Sequence, residues 1–230
     1  MRRVQIRSIV RASLGFGLLV LVMIVGFAAT ARADVIFTLG NNPQTGEMNI
    51  LFGAAQIGTT VTGQVDHTGI GVVFTSLTGQ TLWQKAQGQA DIHGTSGAGE
   101  NGTDIDLTSM QVTVPGYTFG DFILNLSNGT GTAHVVATDN IGQTFDYLLG
   151  NGQNYLTLTT ANGETISMIQ VTMLGGGSFD DFQQPRISEV CAVGGGCVTP
   201  VVPEPTSLLL LGSGLIGLAG VARRRMKGRN

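Results

Sequence analysis

Residues 104–114 read Asp104-Ile105-Asp106-Leu107-Thr108-Ser109-Met110-Gln111-Val112-Thr113-Val114. Polar and apolar residues alternate along the stretch, a period of two that gives a strand one wet face and one dry face. The spacing predicts a single strand over 104–114. The same alternation recurs on both sides of it. Short apolar runs at 35–39, 48–52, 59–65 and 69–75 precede it, and runs at 117–126, 132–137, 143–149, 154–160 and 165–174 follow. A last strand over 178–188 carries Pro185, which suits an edge or a bulge because proline cannot donate to a ladder. Asn128-Gly129, Asn151-Gly152 and Asn162-Gly163 lie between five of these runs. Asn-Gly between alternating runs is the strongest short hairpin signal, since both residues tolerate positive φ. About a dozen short strands with no helix between them predict an all-β domain, an antiparallel β-sandwich or jelly roll.

Composition agrees with that fold and narrows the partners. Glycine supplies 35 of 230 residues, roughly double its usual share of about 7%, as tight turns require. The segment 34–202 is 169 residues long, enough for one domain with a real core. Within it Lys85 and Arg186 face fourteen acidic residues, a net charge of −12. Such a segment is repelled by phosphate backbones, which excludes nucleic acid as a partner. Cys191 and Cys197 are the two cysteines of the chain. In an exported protein a disulfide is their natural outcome, a small clip at the C-terminal edge of the domain.

The chain ends are of a different kind. Arg2, Arg3, Arg7 and Arg11 lead into an almost uncharged stretch over 12–31, closed by Ala31-Arg32-Ala33. A basic region, an apolar region and a small-x-small site make a secretory signal, here with cleavage after Ala33 and residues 1–33 as the signal helix. At the other end Pro203-Glu204-Pro205 precedes an apolar run over 207–222 and the basic end 223–229, with Arg223, Arg224 and Arg225. Sixteen helical residues reach about 24 Å, a short transmembrane helix that arginine snorkelling and a thin bilayer accommodate. Lys and Arg beside a span favour the cytoplasm, so both basic clusters stay inside and everything between them lies outside. Gly-, Val- and Pro-rich residues 189–202 read as a tether between the sandwich (34–188) and the tail (203–230).

Pro203-Glu204-Pro205, the short apolar helix and the terminal arginines, in that order, resemble the PEP-CTERM sorting signal. The resemblance covers about the last 28 residues. It implies recognition by an exosortase, a membrane protease that cuts near Pro-Glu-Pro, and transient anchoring in the inner membrane before delivery to the cell surface, outer membrane or exterior. It also implies a host that makes exopolysaccharide and biofilm. The closing segment 152–188 loosely resembles the ending of many PEP-CTERM ectodomains, which implies fold rather than activity.

Candidate chemistry is sparse. Gly97-Ala98-Gly99-Glu100-Asn101-Gly102 matches G-x-G-x-x-G, but a dinucleotide site needs a helix to follow, and a strand pattern follows instead. The same loop gathers Glu100, Asp104 and Asp106, oxygen ligands of the kind Ca2+ takes in sixes to eights. Their spacing matches no established calcium loop, and solvated acids on a wet strand face are the plainer reading. Asp180 and Asp181 are adjacent and point to opposite faces, and Asp181 is the candidate of the pair. His67, His93 and His134 are scattered, with no metalloprotease spacing. Gly94-Thr95-Ser96-Gly97-Ala98 misses the G-x-S-x-G nucleophile elbow at its last position. Trp83 and Tyr117, Tyr147 and Tyr155 could stack on sugars if exposed, although large aromatics are more often core. The sequence therefore predicts a non-enzymatic, exported surface or matrix protein without a required cofactor. The alternative is a lectin-like carbohydrate-binding module, with Ca2+ or without.

Overall fold

The computed structural model describes residues 34–197, apart from 86, 98–101, 139–141 and 162. Both terminal segments, with the signal residues Ala31 and Ala33 and the tail, lie outside the described residues, as does Glu100. Among the described residues there are eighteen strands, β1–β18 in chain order, and every pairing between them is antiparallel.

Two layers result. The first begins with β1 (Val35–Leu39), then β15 (Tyr155–Thr160), β12 (Asp121–Ser127) and β17 (Asp181–Ser188). Along its far edge β17 meets two partners. Arg186 and Ile187 pair with β2 (Met48–Phe52), while Asp181 to Gln183 pair with β8 (Asp91–Thr95). Beyond β8 lie β6 (Thr81–Gln84) and β3 (Gln56–Gly58), and β9 (Asp104–Ile105) pairs with the end of β8. The second layer runs from β7 (Gly88–Gln89) and the other half of β2 through β4 (Thr60–Val65), β5 (Gly71–Thr75), β10 (Ser109–Thr113), β16 (Met168–Ser178), β13 (Thr130–Thr138) and β14 (Gln143–Leu148). Strand β2 thus belongs to both layers and forms the corner. A small ribbon of β11 (Tyr117–Thr118) and β18 (Cys191–Ala192) stands apart.

The alternating residues seal the two layers together. Phe182 of the first layer packs at 5.7 Å against Phe74 of the second, which lies 5.9 Å from Phe52. All three are buried in one continuous core with Ile50, Leu82, Ile92, Leu107, Met110 and Phe122. Truncating one such phenylalanine costs about 3–5 kcal/mol.

Three expectations about local structure change. The stretch 104–114 is not one strand. Asp104 and Ile105 pair with the first layer, Leu107 bridges to Phe179, and Ser109 to Thr113 belong to the second layer. The crossing is held by Gln80, whose Oε1 accepts from Thr108 N at 2.9 Å and whose Nε2 donates to Asp106 O at 2.8 Å. The physical cause lies in the sequence itself. Buried Leu107 sits at an odd position and buried Met110, Val112 and Val114 at even ones, so a single flat strand would expose one of the two sets.

The Asn-Gly pairs do not close hairpins. Asn128-Gly129 carries the chain from β12 in the first layer to β13 in the second, 151–152 returns it from β14 to β15, and the chain then crosses again between β15 and β16. Positive φ at Asn128 (46°) and Gly152 (86°) is present as those residues favour, but a left-handed turn does not dictate which layer the next strand joins. The first two turns are stapled to each other: Asn128 N donates to Gly152 O at 2.8 Å, and Gly152 N donates to Asn128 Oδ1 at 2.9 Å.

Of the edge or bulge that Pro185 suits, the structure has the bulge, since β17 has partners on both sides. There the register against β12 shifts between Ile123 and Asn125 and Gln184 takes a φ of 47°. The fold also continues past Ser188. Val190 is fully buried, and Cys191 and Ala192 pair with Thr118 and Tyr117, so the first part of the 189–202 segment belongs to the sandwich. Cys191 and Cys197 are joined by a disulfide.

Candidate functional site on the outer face of the first layer

Strands β6, β8 and β17 lie side by side in register, with Asp181 opposite His93 and His93 opposite Trp83. One residue along, Phe182 stands opposite Ile92, and both are fully buried in the core. Because faces alternate, burying Ile92 and Phe182 turns Asp181, His93 and Asp91 onto the outer face. Gly94 lets β9 close over the end of this row. A Cβ there would meet Ile105 O at 2.3 Å, so no other residue fits.

The imidazole of His93 is flanked on both sides. Its Nδ1 forms an ion pair with Asp181 Oδ1 that lacks hydrogen-bond alignment, and its Nε2 lies 3.5 Å from Asp91 Oδ2. Asp181, then Asp91, stabilise the protonated ring against the opposing effect of burial and push its pKa up to about 10. In return the His93 contact holds the Asp91 carboxyl below its usual range, again against burial. Asp181 is 6% exposed, and its Oδ2 accepts from Gln183 Nε2 at 3.0 Å. Asp91 Oδ1, His93 Nε2 and Asp181 Oδ1 are buried without a hydrogen-bond partner among the described residues.

Trp83 closes one side of the cluster, its ring centroid 5.8 Å from that of His93, with the Lys85 ammonium 5.8 Å from the indole centre. Trp83 is covered, at 7% exposure, yet it is not part of the core between the layers. It therefore offers no open stacking platform. On the other side an open depression of about 220 Å³ is lined by Gln89, Ala90, Asp91, Gln183 and Gln184. The amide-rich face continues through Tyr155, whose hydroxyl donates to Gln184 Oε1 at 3.0 Å, and through Asn125, which is bonded to Gln153. Arg186 pairs with Glu47 at 3.3 Å farther along β17. The two basic residues of the 34–202 segment thus both sit on this sheet.

Asp104 and Asp106, read in the sequence as candidate calcium ligands, lie elsewhere. Asp104 is exposed on β9, and Asp106 sits in the layer crossing, where its Oδ2 accepts from Ser178 Oγ at 2.6 Å. Among the described residues, the His, Cys, Asp and Glu side chains close enough to share a cation are Asp91, His93 and Asp181. Of these, sequence reasoning had picked out Asp181. The signal for the others was Asp91-Ile92-His93, a two-residue spacing that puts both polar groups on one strand face.

Comparison with known proteins bears on the tail. A family model described as the PEP-CTERM protein-sorting motif matches residues 201–225. The chain carries a PEP-CTERM sorting tail. That tail marks it as an exported, membrane-processed protein. No curated protein matches the sequence. Among solved structures, a family 29 carbohydrate-binding module is 12% identical over 76% of this chain and 99% of its own, with a TM-score of 0.23. A variant of such a module complexed with mannohexaose is 11% identical over 70% and 91%, with the same TM-score. At that score the likeness carries no argument for fold or ligand. Among the described residues no helix is long and apolar enough to cross a membrane.

Proposed function

We propose that the chain is a non-enzymatic protein of the cell surface or extracellular matrix, delivered by its PEP-CTERM tail. The observation that carries this reading is the match over 201–225. The signal residues Ala31 and Ala33 direct export, and the apolar helix over 207–222 holds the chain in the inner membrane. An exosortase then cuts near Pro203-Glu204-Pro205. The strongly acidic sandwich, stapled at its C-terminal edge by the disulfide, is left at the surface or in the exopolysaccharide around it. Replacing Pro203, Glu204 and Pro205 with alanine tests this. The variant should stay in the membrane with Arg223, Arg224 and Arg225 uncut, because the apolar helix and its basic flank remain. Unchanged mass and location in the variant would show that the motif is not read.

A second reading, a carbohydrate-binding module, is favoured by the depression beside β8 and β17. Gln89, Asp91, Gln183 and Gln184 line it, and amides and carboxylates are the groups that exchange hydrogen bonds with sugar hydroxyls. Binding on a glycan array that disappears in Gln183→Ala would support it, and silence across acidic and neutral polysaccharides would remove it.

A further inference from the structure

We propose that Asp91, His93 and Asp181 form a binding site for a divalent transition-metal cation, with Zn2+ as its reference probe. Two carboxylates and one imidazole are a mixed oxygen and nitrogen donor set, which favours Zn2+ or Mn2+ over Ca2+ and Mg2+, whose preference is for oxygen alone. One donor atom from each residue lies within 4.8 Å of the others. Bonds of about 2.1 Å place tetrahedral ligands about 3.4 Å apart, close to the 3.5 Å between His93 Nε2 and Asp91 Oδ2, so the remaining adjustment is in the distances to Asp181. The Asp91 side chain, 44% exposed against 15% for His93 and 9% for Asp181, is the freest of the three to follow it.

The second observation is independent of the donor set. Each of the three residues has a buried atom that makes no hydrogen bond among the described residues, Asp91 Oδ1, His93 Nε2 and Asp181 Oδ1; the last two have only the ion-pair contacts within the cluster. Buried polar atoms are ordinarily satisfied, and leaving them bare is costly. A coordinated cation satisfies all three together and neutralises two carboxylates that otherwise share one ring. The scaffold is rigid, with Ile92 and Phe182 fixed in the core directly behind the ligands. The fourth position opens toward the depression lined by Gln183 and Gln184, where water completes the coordination.

The test uses the full chain in mild detergent, stripped with chelator and titrated calorimetrically with Zn2+, with Ca2+ as competitor. One Zn2+ per chain is expected, weakened at least tenfold by Asp91→Asn and by His93→Gln, and unaffected by excess Ca2+. Asp146→Asn, which removes the carboxylate beside His134, should leave binding unchanged. Absence of stoichiometric Zn2+ overturns the proposal, as does binding that survives both cluster substitutions or is lost with Asp146→Asn. Zinc-edge X-ray absorption of the unmutated chain decides the matter if a variant fails to fold. One imidazole nitrogen among light-atom ligands is expected, and none, or more than one, contradicts the site.

Discussion

His93 is where one residue's environment has a consequence for the whole protein. In the metal-free chain its pKa stands at about 10, against about 6.5 for an unperturbed histidine. The folded state therefore holds the proton more tightly than the unfolded chain. The stabilisation is fully present below pH 6.5 and is lost as pH rises toward 10. The charged groups facing the ring are Asp181 from β17, Asp91 from its own strand, and Lys85 beyond Trp83. In chelator, the stability advantage of the native chain over His93→Gln should shrink steadily between pH 6.5 and 10, measured by urea denaturation. Parallel curves across that range would mean that the ring is not held protonated. Asp91 and His93 left only a two-residue spacing in the sequence, which places them on one face once β8 is known to be a strand. Asp181 was not legible as their partner, because nothing local states that residue 181 lies opposite residue 93. Register between strands ninety residues apart is set by the packing of Ile92 on Phe182.

At the scale of elements, the turns are the informative part. Asn128 holds a left-handed φ of 46° and binds Gly152 through both its backbone and its side chain. Asn128→Ala loses the tolerated conformation and the side-chain bond together, at about 2 kcal/mol. Asn128→Gly keeps the conformation and loses only the bond, at about 1 kcal/mol. Thermal melts of the two variants should fall in that order, and equal losses would show that the backbone conformation contributes nothing. One residue of each described pair, Asn128 and Gly152, takes the positive φ that the sequence favours there. The sequence did not reveal the destination, because a hairpin and a layer crossing both use the same left-handed residue. The break in 104–114 was written more plainly, in the change of parity between Leu107 and Met110. Strands β6 and β8 were the hardest to read, since Gln, Gly and Ala surround them and their dry positions, Leu82 and Ile92, are too far apart to set a rhythm.

At the scale of the whole molecule, the acidic sandwich and the basic ends divide the labour. Thirty-three residues before Asp34 and the tail after Val202 hold ten of the twelve basic residues. Removing both ends would turn a nearly neutral chain of net charge −3 into a strongly acidic one, soluble outside the cell and repelled by anionic surfaces. The C-terminal tail was the most legible part of the chain, since the order of its motif, apolar run and basic end is itself the signal. The sandwich was legible as a class, because alternation fixes faces but not strand order. Intact-mass measurement of the protein recovered from its native cell surface tests the central claim most directly. The account predicts a chain that begins at Asp34 and ends near Pro203-Glu204-Pro205, without the terminal arginines. A recovered protein that still begins at Met1 or still ends at Asn230 would contradict it.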